Sequence, residues 1–229
     1  MQISHRSLLH RRLLLRFTAY ALPVLVFCSV GAWASEGMQH RRDEPLVNVA
    51  EACPGVLIEL RYATPRNLTG APIYPPNSHA LLRRTVAERL LQAQRSLAAQ
   101  GFGLKVWDAY RPPFAQEELW AARPNREFIG DPAKGGSLHA WGVAVDVTLV
   151  DRSGKELRMP TGFDEFGPAA ARRYIGSDRE IATNLRTLQL AMVAAGFLPM
   201  RDEWWHFAAK DFRSFGRVTP PVALTPTDP

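Results

Sequence analysis

The chain has 229 residues, 46% hydrophobic and 22% charged, with 28 Lys and Arg against 22 Asp and Glu for a formal charge of +6. The excess is local: Arg6, Arg11, Arg12 and Arg16 lie in the first 34 residues, which carry no acid, leaving 24 basic against 22 acidic side chains beyond them. That balance, with no basic stripe or RNA-binding motif, excludes a nucleic-acid partner, and a single cysteine beyond residue 34, Cys53, excludes a fold held by internal disulfides.

In chain order, the four arginines precede an apolar run over 17–33, and Ala32-Trp33-Ala34 gives a small-x-small cleavage site, so residues 1–34 read as a signal peptide. Pro23 and that site favour cleavage over retention as an N-terminal anchor, leaving no stable membrane insertion in the mature protein. The run from His10 to Arg16 is compatible with a twin-arginine as well as a Sec signal, and the protein reads as exported, to the periplasm. Residues 35–48 are charged and polar and read as a loose lead-in to one domain over 49–217, long enough for a sizeable core. Cys53 reads as an inert, partly buried thiol.

Residues 56–62 alternate late in the run and predict a strand, followed by a turn-rich stretch over 63–70 and more proline through Pro76. Over 80–100, Leu81, Leu82, Val86, Leu90, Leu91 and Leu97 fall on one helical face, with Gly101 placed to end the helix. Residues 104–110 predict a strand, 114–122 a short helix, and 130–136 a loop that delivers the next strand, 143–150. A second amphipathic helix spans 179–195 with Leu185, Leu188, Met192 and Val193 inward, followed by strand-like segments at 197–200 and 204–208. The stretch after Val218, four prolines in eleven residues, reads as an extended or disordered tail. Strands separated by helices at unequal spacing predict a single α+β domain with a small, largely antiparallel sheet flanked by helices.

Four histidines lie beyond residue 34, and only His139 and His206 sit beside strands with nearby carboxylates. Asp146 follows His139 by seven residues in a strand with Val143, Val145 and Val147, and Gly142 permits the bend that brings His139 beside it. Burying that carboxylate is costly unless it is paired or bound to metal. Singly, each histidine also suits a structural or surface role. Together, two His and one Asp can hold Zn²⁺ and leave a position open for water, as a catalytic zinc requires. Glu203, three residues before His206, is the spare carboxylate, suited to general acid–base work on that water or, alternatively, to a surface ion pair with Arg201. Arg111 ends the 104–110 strand with its backbone fixed by Pro112; it suits an oxyanion, a substrate carboxylate or a structural salt bridge. Trp107, Tyr110, Trp141, Trp204 and Trp205 are candidates for a pocket wall or for the core.

Five ordered blocks over 57–215 resemble the D-Ala-D-Ala dipeptidases of the VanX type, in the zinc D,D-peptidase group that shares its fold with the hedgehog signalling domain. They are Tyr62-Ala63-Thr64 with Asn67-Leu68-Thr69-Gly70; Asp108-Ala109-Tyr110-Arg111-Pro112; Ser137, His139, Gly142, Ala144 and Asp146; Met159 with Phe163-Asp164; and Glu203-Trp204-Trp205-His206-Phe207. The resemblance implies one zinc ion on His139, Asp146 and His206, Glu203 as general acid/base and Arg111 stabilising the tetrahedral intermediate. It implies a small D-amino-acid dipeptide as substrate, with Ser137 and the aromatics touching its termini. Ala140-Trp141 stands where family members commonly carry Ser-Arg, and Pro160 interrupts their Met-Gly-Thr. These departures keep open a D,D-carboxypeptidase acting on longer stem peptides, and a third reading is a zinc-stabilised module that binds wall peptides without cleaving them.

Overall fold

The computed structural model describes residues 41–225 except 43, 125–127 and 220; the expected signal peptide at 1–34 and the last residues of the tail lie outside them. In chain order the elements are β1 (Leu46–Asn48), α1 (Val49–Ala52), β2 (Leu57–Ile58), β3 (Leu81–Arg83), α2 (Arg84–Ala98), β4 (Phe102–Asp108), α3 (Pro113–Ala122), β5 (Ala144–Asp151), α4 (Arg179–Ala194), β6 (Phe197–Pro199) and β7 (His206–Ala209). Strands β1 and β3 form an antiparallel ribbon. The main sheet runs β2-β4-β5-β7-β6, parallel only between β2 and β4, which makes this the α+β, largely antiparallel architecture expected. No helix among the described residues is long and apolar enough to cross a membrane.

The two long helices pack on each other, α2 against β4 and α4 against β5 and β6. Leu90, Leu97 and Val86 of α2 and Leu188 and Met192 of α4 are fully buried, as their helical spacing predicts. Asp178 starts α4 by accepting from the amides of Glu180 and Ile181. Central strand β5 is covered on both faces: Val145, Val147 and Leu149 belong to the hydrophobic core, while Ala144, Asp146 and Thr148 alternate onto the other side. Fully burying such aliphatic side chains contributes roughly 1.5–3 kcal/mol each, so β5 is a rigid base for any group it carries.

Several local expectations are corrected. The end of the lead-in is not loose, because Leu46 and Val47 zip onto the β3 edge, a three-residue strand too short to show periodicity. Leu81 and Leu82 belong to that ribbon and not to the helix, which starts at Arg84; an apolar pair suits either element. Only Leu57–Ile58 of the 56–62 stretch is strand, and Arg61–Ala63 turn into a 3₁₀ helix. Val193 is 49% exposed, one position off the buried stripe of α4. The tail is not free over 221–225, where Leu224 is buried and its carbonyl accepts from the His79 amide.

Gly142 makes the bend that delivers His139. Its φ is +69°, a left-handed conformation, and a Cβ there would collide with Leu46 Cδ2 of β1. Gly142→Ala is therefore expected to cost about 1–3 kcal/mol, read as a lower urea midpoint at unchanged slope. A wild-type midpoint would refute this account of the bend.

Candidate active site

Three neighbouring strands carry the polar groups of the site at one level. A bulge at Trp107 shifts the β4–β5 register so that Asp108 pairs with Asp146, and Asp146 in turn pairs with His206 on β7. His139 enters from the 3₁₀ turn Leu138–Trp141, whose N-cap Ser137 accepts from the His139 amide through its hydroxyl. All four groups are buried.

His139 Nε2 lies 3.1 Å from His206 Nδ1 and 3.4 Å from Asp146 Oδ1, and His206 Nδ1 lies 3.0 Å from the same oxygen. Among the described residues this is the one group of His, Cys, Asp or Glu whose ligand atoms converge, all within 4.8 Å. His139 Nδ1 donates to the Ala109 carbonyl at 2.6 Å, which fixes the tautomer and turns the Nε2 lone pair toward Asp146 and His206. Burial opposes ionisation of Asp146, but attraction and hydrogen bonds from His139 and His206 override it and hold the carboxyl far below the usual range. Two imidazoles and an ionised carboxylate, one imidazole oriented by a second hydrogen bond, fit a borderline-soft divalent metal.

Arg111 is placed by the proline after it and by Asp108. Asp108 Oδ2 accepts from Arg111 Nε at 2.9 Å and from Nη2 at 2.8 Å, and Oδ1 accepts from the Tyr74 hydroxyl at 2.6 Å. Arg111 Nη1 donates to Gln116 Oε1 at 3.0 Å, Nη2 stands 3.8 Å from Asp146 Oδ2, and the guanidinium lies 4.8 Å from the Tyr62 ring centroid. Burial disfavours the cation, but attraction to Tyr62 and Asp108 outweighs it, so Arg111 remains charged. The structural salt bridge and the cleft position are thus compatible.

Glu203 occupies a turn before β7, its carbonyl accepting from the His206 amide at 3.3 Å. Its side chain is buried and makes no hydrogen bond among the described residues, while Arg201 pairs with Asp202 instead. Desolvation pushes its carboxyl up to about 7, with the Asp146 charge adding to the shift and His206 opposing it.

Glu203, Arg111, Ser137 and the three converging groups line one cavity of about 220 Å³, with Trp205 and Asp164. Asp164 and Asp108 are groups to which sequence reasoning assigned no role. Asp164 accepts from the Tyr62 hydroxyl at 3.3 Å and the Leu68 amide at 3.0 Å, and burial pushes it up to about 7. The sequence shows only that Asp108 lies three residues before Arg111; its alignment with Asp146 comes from the bulge at Trp107, and Asp164 is placed by the distant Tyr62 and Leu68. Of the aromatic candidates, Trp107 and Trp204 belong to the core, edge-to-face at 5.6 Å. Ala140, Trp141 and Met159 do not line the cavity.

Residues 42–218 match the model of the peptidase M15 family described as D-ala-D-ala dipeptidase. The chain belongs to this family. It is accordingly a hydrolase of the metallopeptidase class, with a metal as cofactor. It is 34% identical over 170 residues to D-alanyl-D-alanine dipeptidase of Escherichia coli (strain K12), covering 74% of this chain and 87% of that one. The protein of the same name from Enterococcus faecalis (strain ATCC 700802 / V583) is 31% identical over 180 residues, covering 70% and 89%. Among solved structures, a D,D-pentapeptidase, VanY, from a VanB-type vancomycin-resistance cassette in complex with Zn(II) aligns with TM-score 0.38 at 17% identity, covering 61% of this chain and 78% of that one.

Proposed function

We propose that this protein is an exported, zinc-dependent dipeptidase that hydrolyses free D-Ala-D-Ala to two D-alanines in peptidoglycan turnover or salvage. The observation that carries the reading is the convergence of His139, Asp146 and His206 beside Glu203, whose carboxylate is unbonded among the described residues, in one small cavity. His139 Nε2, His206 Nδ1 and an Asp146 oxygen would hold one zinc ion, which when bound supplies Lewis-acid polarisation of the scissile carbonyl and a more acidic water.

The remaining chemistry belongs to the chain's own groups. Glu203 takes a proton from the attacking water and returns it to the departing amine, the role its nearly neutral affinity and its position suit. Arg111 presents a permanent cation to the oxygen on which charge develops. Asp164, with no ion pair among the described residues, is the natural partner for the substrate's ammonium. Asp164→Asn is expected to raise KM roughly tenfold or more, the scale of a charge-assisted hydrogen bond, with a smaller change in kcat. An unchanged KM would remove Asp164 from substrate binding.

A cavity of about 220 Å³ is below the roughly 300–1,000 Å³ typical of drug-sized ligands and suits a dipeptide better than a stem peptide. The departures at Ala140-Trp141 and Pro160, which favour the D,D-carboxypeptidase alternative, lie off that cavity. A binding module has no need of the buried, desolvated Glu203. Purified protein should release D-alanine from the dipeptide, lose that activity with chelator and regain it with Zn²⁺, while a pentapeptide stem is cleaved far more slowly. Zinc-loaded protein that leaves the dipeptide intact would overturn the reading; faster cleavage of the stem would favour the carboxypeptidase. Export is tested by sequencing the N-terminus of the protein recovered outside the cytoplasm, expected to begin at Ser35.

A further inference from the structure

The family match ends at residue 218, yet described residues beyond it, Val222 and Leu224, are tied back to the body of the domain as a strap. The Val218 amide donates to the Ala140 carbonyl at 3.1 Å, the Val222 amide donates to the Tyr110 hydroxyl at 3.1 Å, and the Leu224 carbonyl accepts from the His79 amide at 2.7 Å. Val218 and Leu224 are buried and belong to the core, with Leu224 only 3% exposed, so the strap is seated by apolar anchors at both ends. Just upstream, the Gly216 carbonyl accepts from Arg83 Nη2 at 3.1 Å, and the same guanidinium donates through Nε to the Trp141 carbonyl at 3.0 Å.

Two of these attachments, at Ala140 and Tyr110, land beside a group of the site. Ala140 follows His139. Tyr110 lies between Ala109, whose carbonyl takes the His139 Nδ1 proton, and Arg111, whose amide donates to the His139 carbonyl at 3.3 Å. The segments 109–111 and 139–141 thus face each other across hydrogen bonds that set the direction of His139 Nε2, and the strap bonds to both.

We propose that the segment carrying Val218, Val222 and Leu224 is a positioning element for the metal centre: by clamping the 109–111 and 139–141 segments together, it aims His139 and raises metal affinity, without touching metal or substrate. The inference rests on the zinc reading above. Groups that orient a metal-ligating histidine typically govern 10–100-fold in affinity, and losing the Leu224 anchor should forfeit a share of that.

The test is Zn²⁺ affinity of the full chain, measured by competition with a chromophoric chelator, together with the visible spectrum of the Co²⁺-substituted protein. Leu224→Asp, which expels the anchor, should weaken Zn²⁺ binding about tenfold and change the cobalt spectrum, and Leu224→Met should restore both. Tyr110→Phe removes the Val222 acceptor but keeps the buried ring; it should weaken binding severalfold, and it decides the matter if Leu224→Asp fails to fold. Zinc affinity and cobalt spectra equal to wild type in the folded variants, with only a lower Tm, would overturn the proposal and leave the strap a stabilising element. Failure of the wild-type chain to bind Zn²⁺ would instead overturn the metal-site reading on which it depends.

Discussion

Glu203→Gln should lower kcat on D-Ala-D-Ala by about 10³-fold, within the ~10²–10⁴ range of a positioned general acid–base group, while KM and zinc content stay within a fewfold of wild type. The expectation follows from what Glu203 does not do. It makes no side-chain hydrogen bond or ion pair among the described residues, so the isosteric amide breaks no structural contact and removes only the titrating oxygen. His139, Asp146 and His206 retain their mutual contacts in that variant. A kcat within tenfold of wild type, at full zinc occupancy, would sink the assignment.

The same residue sets the acid limb of the pH profile. Burial raises the Glu203 carboxyl to about 7, and the working form is the charged one, so activity rises as pH increases through that value. A bound dication attracts the carboxylate and lowers its proton affinity, which puts the limb of kcat/KM in the loaded enzyme at or below about 7. Residual activity of Glu203→Gln should lack that limb. A limb well above 7 in the wild type, or one that survives in the variant, would assign it to another group.

The parts of this site that were legible in the sequence are those carried by regular backbone. Asp146 was readable as a costly carboxylate on an apolar strand, and its pairing with His206 follows once β5 and β7 lie antiparallel. His139 was readable through Gly142, because a left-handed bend is what lets a residue just before a strand turn back beside it. Asp108 was not, since its alignment with Asp146 depends on the bulge at Trp107, and a one-residue register shift leaves no mark in composition or periodicity. Asp164 adopts φ +58°, uncommon for a residue other than glycine, and faces the cavity only because Tyr62 and Leu68, about a hundred positions earlier, hold its carboxylate there. The short strand β1 and the tail segment escaped for a related reason: three to five residues hydrogen-bond to distant partners, and their local pattern carries too few turns or alternations to reveal it.

Arg111 should be the position where activity and stability fail together. Arg111→Lys keeps a positive charge but loses the planar fork that spans Asp108 on one side and Gln116 on the other. Its kcat should fall about 10²–10³-fold, the range for loss of a preorganised oxyanion donor, with a smaller loss of stability. Arg111→Ala goes further, because Asp108 is fully buried and would be left with only Tyr74 and His139 nearby. Stranding a buried carboxylate in this way costs about 3–5 kcal/mol, read as a lower urea midpoint. It also reaches the metal centre. Asp108 Oδ2 already lies 3.4 Å from His139 Nδ1, and once free of Arg111 it competes with the Ala109 carbonyl for that proton, turning the imidazole whose other nitrogen faces Asp146 and His206. Zinc affinity should therefore drop in Arg111→Ala and recover in Arg111→Ala/Asp108→Asn, where the amide no longer carries the stranded charge, while kcat stays low in both. Recovery of kcat in the double variant would show that Arg111 acts only by neutralising Asp108 and has no part in stabilising the transition state.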